Sequence, residues 1–135
     1  MTSPAENKKI VLSFLNEVMA GRAEQAFDTF CVPEYKQHNP RLVNGKAGLL
    51  EFARNAALCK GLTFNIRRSA AEDDLVWLQS ELTGFHWADE PAPADPASLR
   101  YVVYDVFRVK DGKIVEHWDV LSRIPPYTAN GNDMI

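Results

Sequence analysis

The hydrophobic positions in the first sixty residues recur at helical spacing. Ser3-Pro4-Ala5-Glu6 carries the signals of a helix start, namely a capping serine, a proline in the first turn and the glutamate of a capping box. Apolar residues follow at intervals of three and four, and Gly21 is predicted to end this helix. The same spacing predicts a second helix from Arg22 to Phe30 and a third from Gly45 to Lys60.

The apolar period changes from 3.6 to 2 at Leu62, where the pattern becomes that of half-buried strands. Before this point, the short polar and aromatic segment from Tyr35 to Pro40 is predicted to be a brief edge strand or an extended loop. After it, we predict a strand that begins at Leu62, a turn at Glu72-Asp73-Asp74 and a long strand from Leu75 to Trp87.

The clearest hairpin lies near the end of the chain. Arg100 to Lys110 and Lys113 to Ser122 are joined by Asp111-Gly112, a dipeptide that favours a two-residue turn. The proline-rich stretch from Ala88 to Ser98 is predicted to be a surface loop. The order of elements predicts one α+β domain over residues 1–135, with three N-terminal helices on one face of a curved, mostly antiparallel sheet.

Composition excludes several classes of function. The net charge is −3 over 135 residues and the basic residues form no stripe, so we expect no nucleic-acid partner. No apolar run approaches ~18 residues, so we expect no membrane span. Cys31 and Cys59 stand apart among apolar neighbours, which indicates two reduced thiols in a cytoplasmic protein.

The two-residue turn also predicts a register for the hairpin. Counting outward from it, Tyr104 lies opposite Asp119 and Val106 lies opposite His117, so Tyr104, His117 and Asp119 share one face. A bulge in either strand would change the register and bring Asp105 to that face instead.

A buried carboxylate beside an imidazole suits proton abstraction next to a carbonyl group. Burial raises the pKa of an aspartate, so Asp119 is a candidate general base with His117 beside it. The alternative is that the two side chains only bond each other or the backbone. Gln79 and Glu81 share one face of the long strand and either face solvent or add to the pocket. The three histidines lack the spacing of a metal site, so we predict no metal.

Both faces of the hairpin are mostly apolar, which predicts that both are covered. The face that bears Val103, Phe107 and Trp118 has no obvious covering element in this chain. A second sheet or a second copy of the chain would cover it, and we expect a homodimer.

At this point the chain resembles a known family. The order of helices and strands is similar to the nuclear transport factor two-like superfamily, whose cone-shaped barrel encloses a pocket. Within it, four strings resemble the SnoaL-like polyketide cyclases, which are described as aldol-condensation enzymes. The strings are Tyr35-Lys36-Gln37-His38-Asn39-Pro40, the segment from Tyr104 to Val109, the segment from Asp111 to Val120 and the segment from Ala129 to Met134.

This resemblance implies a site and a reaction. Asp119 would be the acid/base of an intramolecular aldol closure that needs no metal or cofactor, with His117 as its neighbour. His38 and Asn39 would be polar groups of the pocket. Apart from the resemblance, proton abstraction by Asp119 would equally serve isomerisation or dehydration, with Tyr104 or His38 as the oxyanion donor. The ligand would be a small apolar carbonyl compound. Many relatives carry histidines where this chain has Gln79 and Glu81.

The environment of Asp119 separates an enzyme from a non-catalytic ligand-binding or dimerisation module. A catalytic carboxylate should face a cavity of ~300 Å³ or more and keep an unpaired oxygen. A carboxylate bonded entirely to backbone amides in a filled core would contradict the enzyme hypothesis.

Overall fold

A computed structural model describes residues 2–135 and contains the three predicted helices. They are α1 (Pro4–Met19), α2 (Ala23–Phe30) and α3 (Gly45–Ala57). The capping box at the start of α1 is present, because Ser3 and Glu6 bond each other's backbone N–H groups. Gly21 follows α1 with a φ of +87°, a conformation that glycine adopts without strain. In the described range no helix is long and apolar enough to cross a membrane.

In residues 2–135, five strands form one open, curved sheet. They are β1 (Cys31–Gln37), β2 (Thr63–Glu72), β3 (Leu75–Thr83), β4 (Arg100–Lys110) and β5 (Lys113–Arg123), in the spatial order β1-β5-β4-β3-β2. The predicted meander from β2 to β5 is confirmed. The edge strand β1 pairs parallel to β5 and starts directly after α2, so the sheet is mixed.

Two predicted boundaries were wrong. Helix α3 ends at Ala57 rather than at Lys60, and β3 ends at Thr83 rather than at Trp87. Gly84 has a φ of +80°, which turns the chain away from the sheet and ends the strand. Beyond it, Pro96–Ser98 forms one turn of 3-10 helix within the predicted surface loop.

The main core fills the space between the helices and the concave face of the sheet. Its most buried side chains come from α1, α2 and the central strands, and they include Val11, Phe14, Phe27, Val76 and Ile114. Phe107 of β4 packs edge-on against Phe14 of α1 with 6.0 Å between ring centroids. This contact ties the first helix to the centre of the sheet.

The predicted register of the β4–β5 hairpin was wrong beyond its first two pairs. Lys110 pairs with Lys113 and Val109 with Ile114, but Arg108 then pairs with Glu116, which leaves Val115 as the extra residue of a β-bulge.

The bulge reverses the inward and outward positions along β5. Asp105 lies opposite Asp119 and Phe107 lies opposite His117, whereas Tyr104 lies opposite Val120. Asp105 therefore shares the concave face with His117 and Asp119, as expected for a bulge, and Tyr104 points to the convex face.

The convex face of the sheet has no helix of residues 2–135 against it. The predicted uncovered face was wrong, because Val103 and Phe107 are buried on the concave side under the helices and only Trp118 lies on the convex side. Trp77, Tyr104 and Val120 are 51%, 48% and 67% exposed there. These three neighbouring residues on β3, β4 and β5 are called the convex patch below.

Replacement of Phe107 by alanine should lower the free energy of unfolding by about 3–5 kcal/mol. It removes a buried aromatic ring and leaves a cavity that α1 cannot move in to fill. Urea unfolding followed by circular dichroism measures the change. Tyr127 is 88% exposed, so Tyr127→Ala is a matched control; it should stay within about 0.5 kcal/mol of the wild type. Equal losses in the two variants would contradict this description of the core.

Candidate functional site

A cavity of about 80 Å³ lies between α1, α3, β1 and the concave face of the sheet. Most of its wall is apolar, and its polar groups are confined to the side formed by β1, β4 and β5. The polar lining consists of Tyr35, Gln37, Asp105, His117 and Asp119. The cavity is smaller than the ~300 Å³ expected above of a catalytic pocket, so the size condition is not met by the cavity in this state. A ligand of ordinary size has to displace part of the lining.

Near its end, strand β1 contributes every second side chain to the wall of the cavity. Tyr35 and Gln37 point inward and line the cavity, and Asn39, just beyond the strand, continues the same alternation and is buried. Lys36 and His38 alternate with them and are exposed. The parallel pairing holds this edge in place, because the backbone N–H of His38 donates to the carbonyl oxygen of His117 at 2.9 Å.

His117 is bonded at both ring nitrogens. Its Nδ1 lies 2.8 Å from Oε1 of Gln37, and its Nε2 lies 2.8 Å from Oδ1 of Asp105. The ring lies between Tyr35, which is nearly parallel to it at 6.5 Å, and Phe107, whose centroid is 4.5 Å away. These contacts leave the imidazole one orientation, with its edge toward the two carboxylates.

Asp119 is held by one side chain. The Nδ2 amide of Asn39 donates to both carboxylate oxygens, at 3.0 and 3.1 Å. Burial raises the pKa of Asp119 above its ordinary value, and the nearby Asp105 acts in the same direction. His117 and the Asn39 hydrogen bond oppose this shift without cancelling it. The site thus contains a carboxyl group that binds its proton more tightly than a solvated aspartate does.

The loop that carries Asn39 is fastened to the long loop after β3. Asn39 accepts from the backbone N–H of Arg41 at 2.9 Å, which closes a turn. The guanidinium of Arg41 lies over the Trp87 ring at 4.5 Å and bonds Asp89 at 2.6 Å. Leu42, the next residue, lines the cavity. The position of Asn39 and one wall of the cavity therefore depend on the same short loop.

Two residues that the sequence suggested as oxyanion donors lie away from the cavity. His38 is exposed, stacks on Trp118 at 4.8 Å and bonds Glu116 through Nε2 at 2.7 Å. Tyr104 is on the convex face, where its hydroxyl accepts from Nε2 of Gln79 at 2.9 Å. The expectation that one of these groups stabilises an oxyanion in the pocket was therefore wrong.

Gln79 and Glu81 also belong to the convex side of β3. Gln79 accepts from Arg68 at 2.5 Å, and Glu81 accepts from Arg67 and Arg100, each at 2.6 Å. Neither side chain lines the cavity. Their inclusion among the pocket residues was wrong, because the inward side chains of β3 are the alternate set that contains Leu78 and Leu82.

Three side chains have the composition of a divalent-cation site. One ligand atom from each of Asp105, His117 and Asp119 lies within 4.8 Å of the others. In the structure, His117 Nε2 and Asp105 Oδ1 form a hydrogen bond with each other. The prediction of no metal came from the spacing of the histidines alone, and it stays a prediction.

Sequence reasoning missed two residues of the site, Tyr35 and Gln37. Both lie in the segment that was predicted to be an edge strand or a loop. If that segment is a strand, Tyr35, Gln37 and Asn39 share one face, and the adjacent His38 must point the other way. The alternation of side chains was therefore the signal that could have identified them.

The comparisons with known proteins agree with this architecture. Residues 11–117 match the model of the SnoaL-like domain family. A search of curated proteins finds no match. TsrD from Streptomyces laurentii has a similar solved structure, with a TM-score of 0.69 and 24% sequence identity over 90% of this chain and 92% of TsrD.

Other solved structures share the fold at lower identity. A protein from Acidithiobacillus ferrooxidans that is proposed to be a polyketide cyclase has a TM-score of 0.69 and 21% identity, over 90% of this chain and 92% of its own. A protein from Kribbella flavida that is proposed to be a ketosteroid isomerase has a TM-score of 0.68 and 16% identity, over 100% and 93%. Likeness at this level of identity shows the fold, and a fold hosts many functions.

The raised pKa of Asp119 gives a pH dependence of stability with a defined sign. The folded protein binds this proton more tightly than the unfolded chain, whose aspartates titrate near ~3.9. The resulting stability is complete below that pH and is lost as pH rises through the folded pKa. Asp119→Asn should therefore gain stability relative to the wild type as pH rises through this window, as measured by urea unfolding at a series of pH values.

A carbon-13 NMR titration of the carboxyl groups measures the same pKa directly, with Asp119→Asn to assign the resonance. Asn39→Ala should raise the pKa of Asp119 further, because it removes a hydrogen bond that favours the ionised form. A wild-type pKa at or below ~3.9 would contradict the described environment.

Proposed function

The chain belongs to the SnoaL-like domain family, and from this premise we propose that it is a cofactor-independent enzyme acting on a small apolar carbonyl compound. Asp119 is its general acid/base. The observation that carries the proposal is a carboxyl group with a raised pKa on the wall of a mostly apolar cavity. A carboxylate with a raised pKa is a stronger base than an ordinary aspartate, so it removes a proton from carbon at a lower free-energy cost.

The hydrogen bonds of Asp119 support this role. The carboxylate is not bonded to backbone amides among residues 2–135, and its partner Asn39 donates from a side-chain amide. A carboxylate oxygen has more than one acceptor position, so each oxygen keeps room for a substrate proton. An aspartate with a purely structural role in a core is typically saturated with donors.

The Tyr35 hydroxyl is the proposed oxyanion donor. Burial, above all, raises the pKa of Tyr35 well above its usual range, so the hydroxyl keeps its proton. The side-chain amide of Gln37 lies at a long 3.4 Å from the Tyr35 oxygen and donates to it. This leaves the hydroxyl proton available to a ligand in the cavity, in the place where the sequence suggested Tyr104 or His38.

These groups define a common first step for the proposed reactions. Asp119 takes a proton from the carbon next to a carbonyl, and the negative charge that develops on the carbonyl oxygen is stabilised by Tyr35. The resulting enolate closes a ring by aldol addition, or it is reprotonated elsewhere or loses a leaving group. The polyketide cyclase and ketosteroid isomerase proposals made for similar structures support carbonyl chemistry of this kind.

The first step can be measured without the natural substrate. Exchange of α-hydrogen for deuterium in 2-tetralone and cyclohexanone, followed by mass spectrometry in D2O, reports general-base proton removal. The wild type should accelerate the exchange above the rate in buffer, and Asp119→Asn should reduce the enzymatic part by about 10²–10⁴-fold. Tyr35→Phe should reduce it by about 10²–10³-fold through loss of one donor.

His38→Gln is the matched control, because His38 bonds Glu116 outside the cavity and should leave the exchange rate unchanged. An equal loss in His38→Gln and Asp119→Asn would contradict the assignment of the base. Binding of these ketones without exchange would favour the alternative function, a non-catalytic pocket for small apolar ligands.

The assembly proposed for the chain is a homodimer formed through the convex patch. Trp77, Tyr104 and Val120 are about half exposed or more in that patch, on a sheet face that no helix of residues 2–135 covers. Apolar groups that are contiguous and exposed in this way are typical of interfaces. Two-fold symmetry would place the patch of one chain against the same patch of the other.

A dimer at micromolar concentration is the expected result of size-exclusion chromatography with light scattering. The cross-strand neighbours Tyr104 and Val120 lie in the patch, so the double variant Tyr104→Glu, Val120→Glu should be monomeric. Tyr127→Glu introduces a charge at an exposed position of the C-terminal tail and should remain dimeric. A monomeric wild type would overturn the proposed dimer.

A further inference from the structure

We infer that Gln37 is a positioning residue that holds His117 in the Nδ1–H form, so that the His117–Asp105 pair carries one proton beside Asp119. The inference deepens the proposed function, on which its catalytic consequence rests. The hydrogen bonds of Gln37 identify which atoms donate and which accept, and they do so independently of any activity.

The orientation of the Gln37 amide is determined by the backbone. The N–H of Asn39 donates to Oε1 of Gln37 at 2.9 Å, and a backbone N–H can only donate. The reversed amide would place an NH2 group against this donor. The backbone N–H of Gln37 in turn donates to Oδ1 of Asn44 at 2.9 Å, just before α3. Oε1 of Gln37 is therefore an acceptor in a fixed place.

The position of this acceptor determines the form of the imidazole. Oε1 of Gln37 lies 2.8 Å from Nδ1 of His117, so Nδ1 has to carry a proton and donate it. The neutral form with its proton on Nε2 would place a bare nitrogen against a carbonyl oxygen. Gln37 thus selects either the neutral Nδ1–H form or the imidazolium, and it excludes the other neutral tautomer.

The opposite edge of the ring then shares a proton with Asp105. Nε2 of His117 and Oδ1 of Asp105 are 2.8 Å apart, a distance that requires one proton between them. The proton lies either on the imidazolium, facing a carboxylate, or on the carboxylic acid, facing a bare Nε2. In both cases the pair has no net charge and holds one proton that it can give away.

Asp119 is the second carboxyl group of the cluster. One of its oxygens lies within 4.8 Å of a ring nitrogen of His117 and of a carboxylate oxygen of Asp105. The site therefore contains an acceptor of protons and, next to it, a donor of protons. Two titratable groups with separate environments are the arrangement that divides the base and the acid of a reaction between them.

An aldol closure uses both groups. Asp119 removes the proton on the α-carbon, and the electron pair of that C–H bond forms the new C–C bond to the acceptor carbonyl. The π electrons of the acceptor carbonyl move to its oxygen, which takes the proton of the His117–Asp105 pair and becomes a hydroxyl. Proton transfer from Asp119 back to the pair restores the starting state, so the cycle needs no oxidant, reductant or cofactor.

Nitrogen-15 NMR of histidine-labelled protein tests the inference, because long-range proton–nitrogen correlations distinguish a protonated ring nitrogen from a bare one. His117→Gln identifies the signals. The wild type should show His117 protonated at Nδ1 at every pH at which the fold is intact. A neutral His117 with its proton on Nε2 alone would overturn the inference, whatever the fate of the deuterium exchange described above.

Two variants separate positioning from simple packing. Gln37→Met keeps the length of the side chain and removes the acceptor, so His117 should change to the Nε2–H form and donate to Asp105. Gln37→Glu keeps an acceptor at the same place and should retain the proton on Nδ1. An Nδ1 proton that persists in folded Gln37→Met would show that Gln37 does not select the form of His117.

The deuterium exchange separates failure of this inference from failure of the proposed function. One outcome is loss of exchange in Asp119→Asn while the wild-type His117 carries its proton on Nε2 alone. Asp119 would then remain the base, and Gln37 would have no role in positioning His117. The correct tautomer without any exchange would retain Gln37 as the group that orients His117 and remove the general-base function.

Discussion

A single extra residue in β5 decides which side chains face the cavity. Val115 has no partner in β4, and the bulge that it forms lets Ile114 and His117 both point to the concave face. Side chains of a regular strand alternate, so without the bulge Ile114 in the core would place His117 and Asp119 on the convex face. The core contact of Ile114 and the polar site of the cavity are compatible only because of this local irregularity.

The buried polar groups cost little stability because each one is hydrogen-bonded to the next in a continuous chain. Asn39 donates its backbone N–H to Gln37, Gln37 accepts from His117, and His117 bonds Asp105. A buried donor or acceptor without a partner costs about 1–3 kcal/mol, so each bond stabilises the conformation of the next side chain. The same chain of bonds does not include Asp119, whose hydrogen-bond partner is the Asn39 side chain.

The elements of this fold could be predicted because their signals are local. The capping box at Ser3, the glycine after α1 and the Asp111-Gly112 turn each act within a few residues. The site depends on longer relations. The bulge at Val115 decides which side chains of β5 face the core, and the parallel pairing of β1 with β5 joins segments about 80 residues apart. No local pattern predicts these relations, so Asp105 stayed an alternative. Alternation within β1 could have placed Gln37 on the same face as Tyr35, but only the parallel pairing with β5 brings it to His117.

The proposed function requires a movement of the cavity wall. The cavity of about 80 Å³ is well below the ~300 Å³ of an ordinary ligand pocket. The loop with Leu42 is the part of the wall that moves at the lowest cost in free energy. Its ion pair between Arg41 and Asp89 is exposed, and exposed ion pairs contribute only about 0–1 kcal/mol to stability. Met19 on the opposite wall is half-buried and has a flexible side chain. Opening at Leu42 would displace the turn that holds Asn39, so under the proposed function the entry of a ligand would also change the hydrogen bond from Asn39 to Asp119.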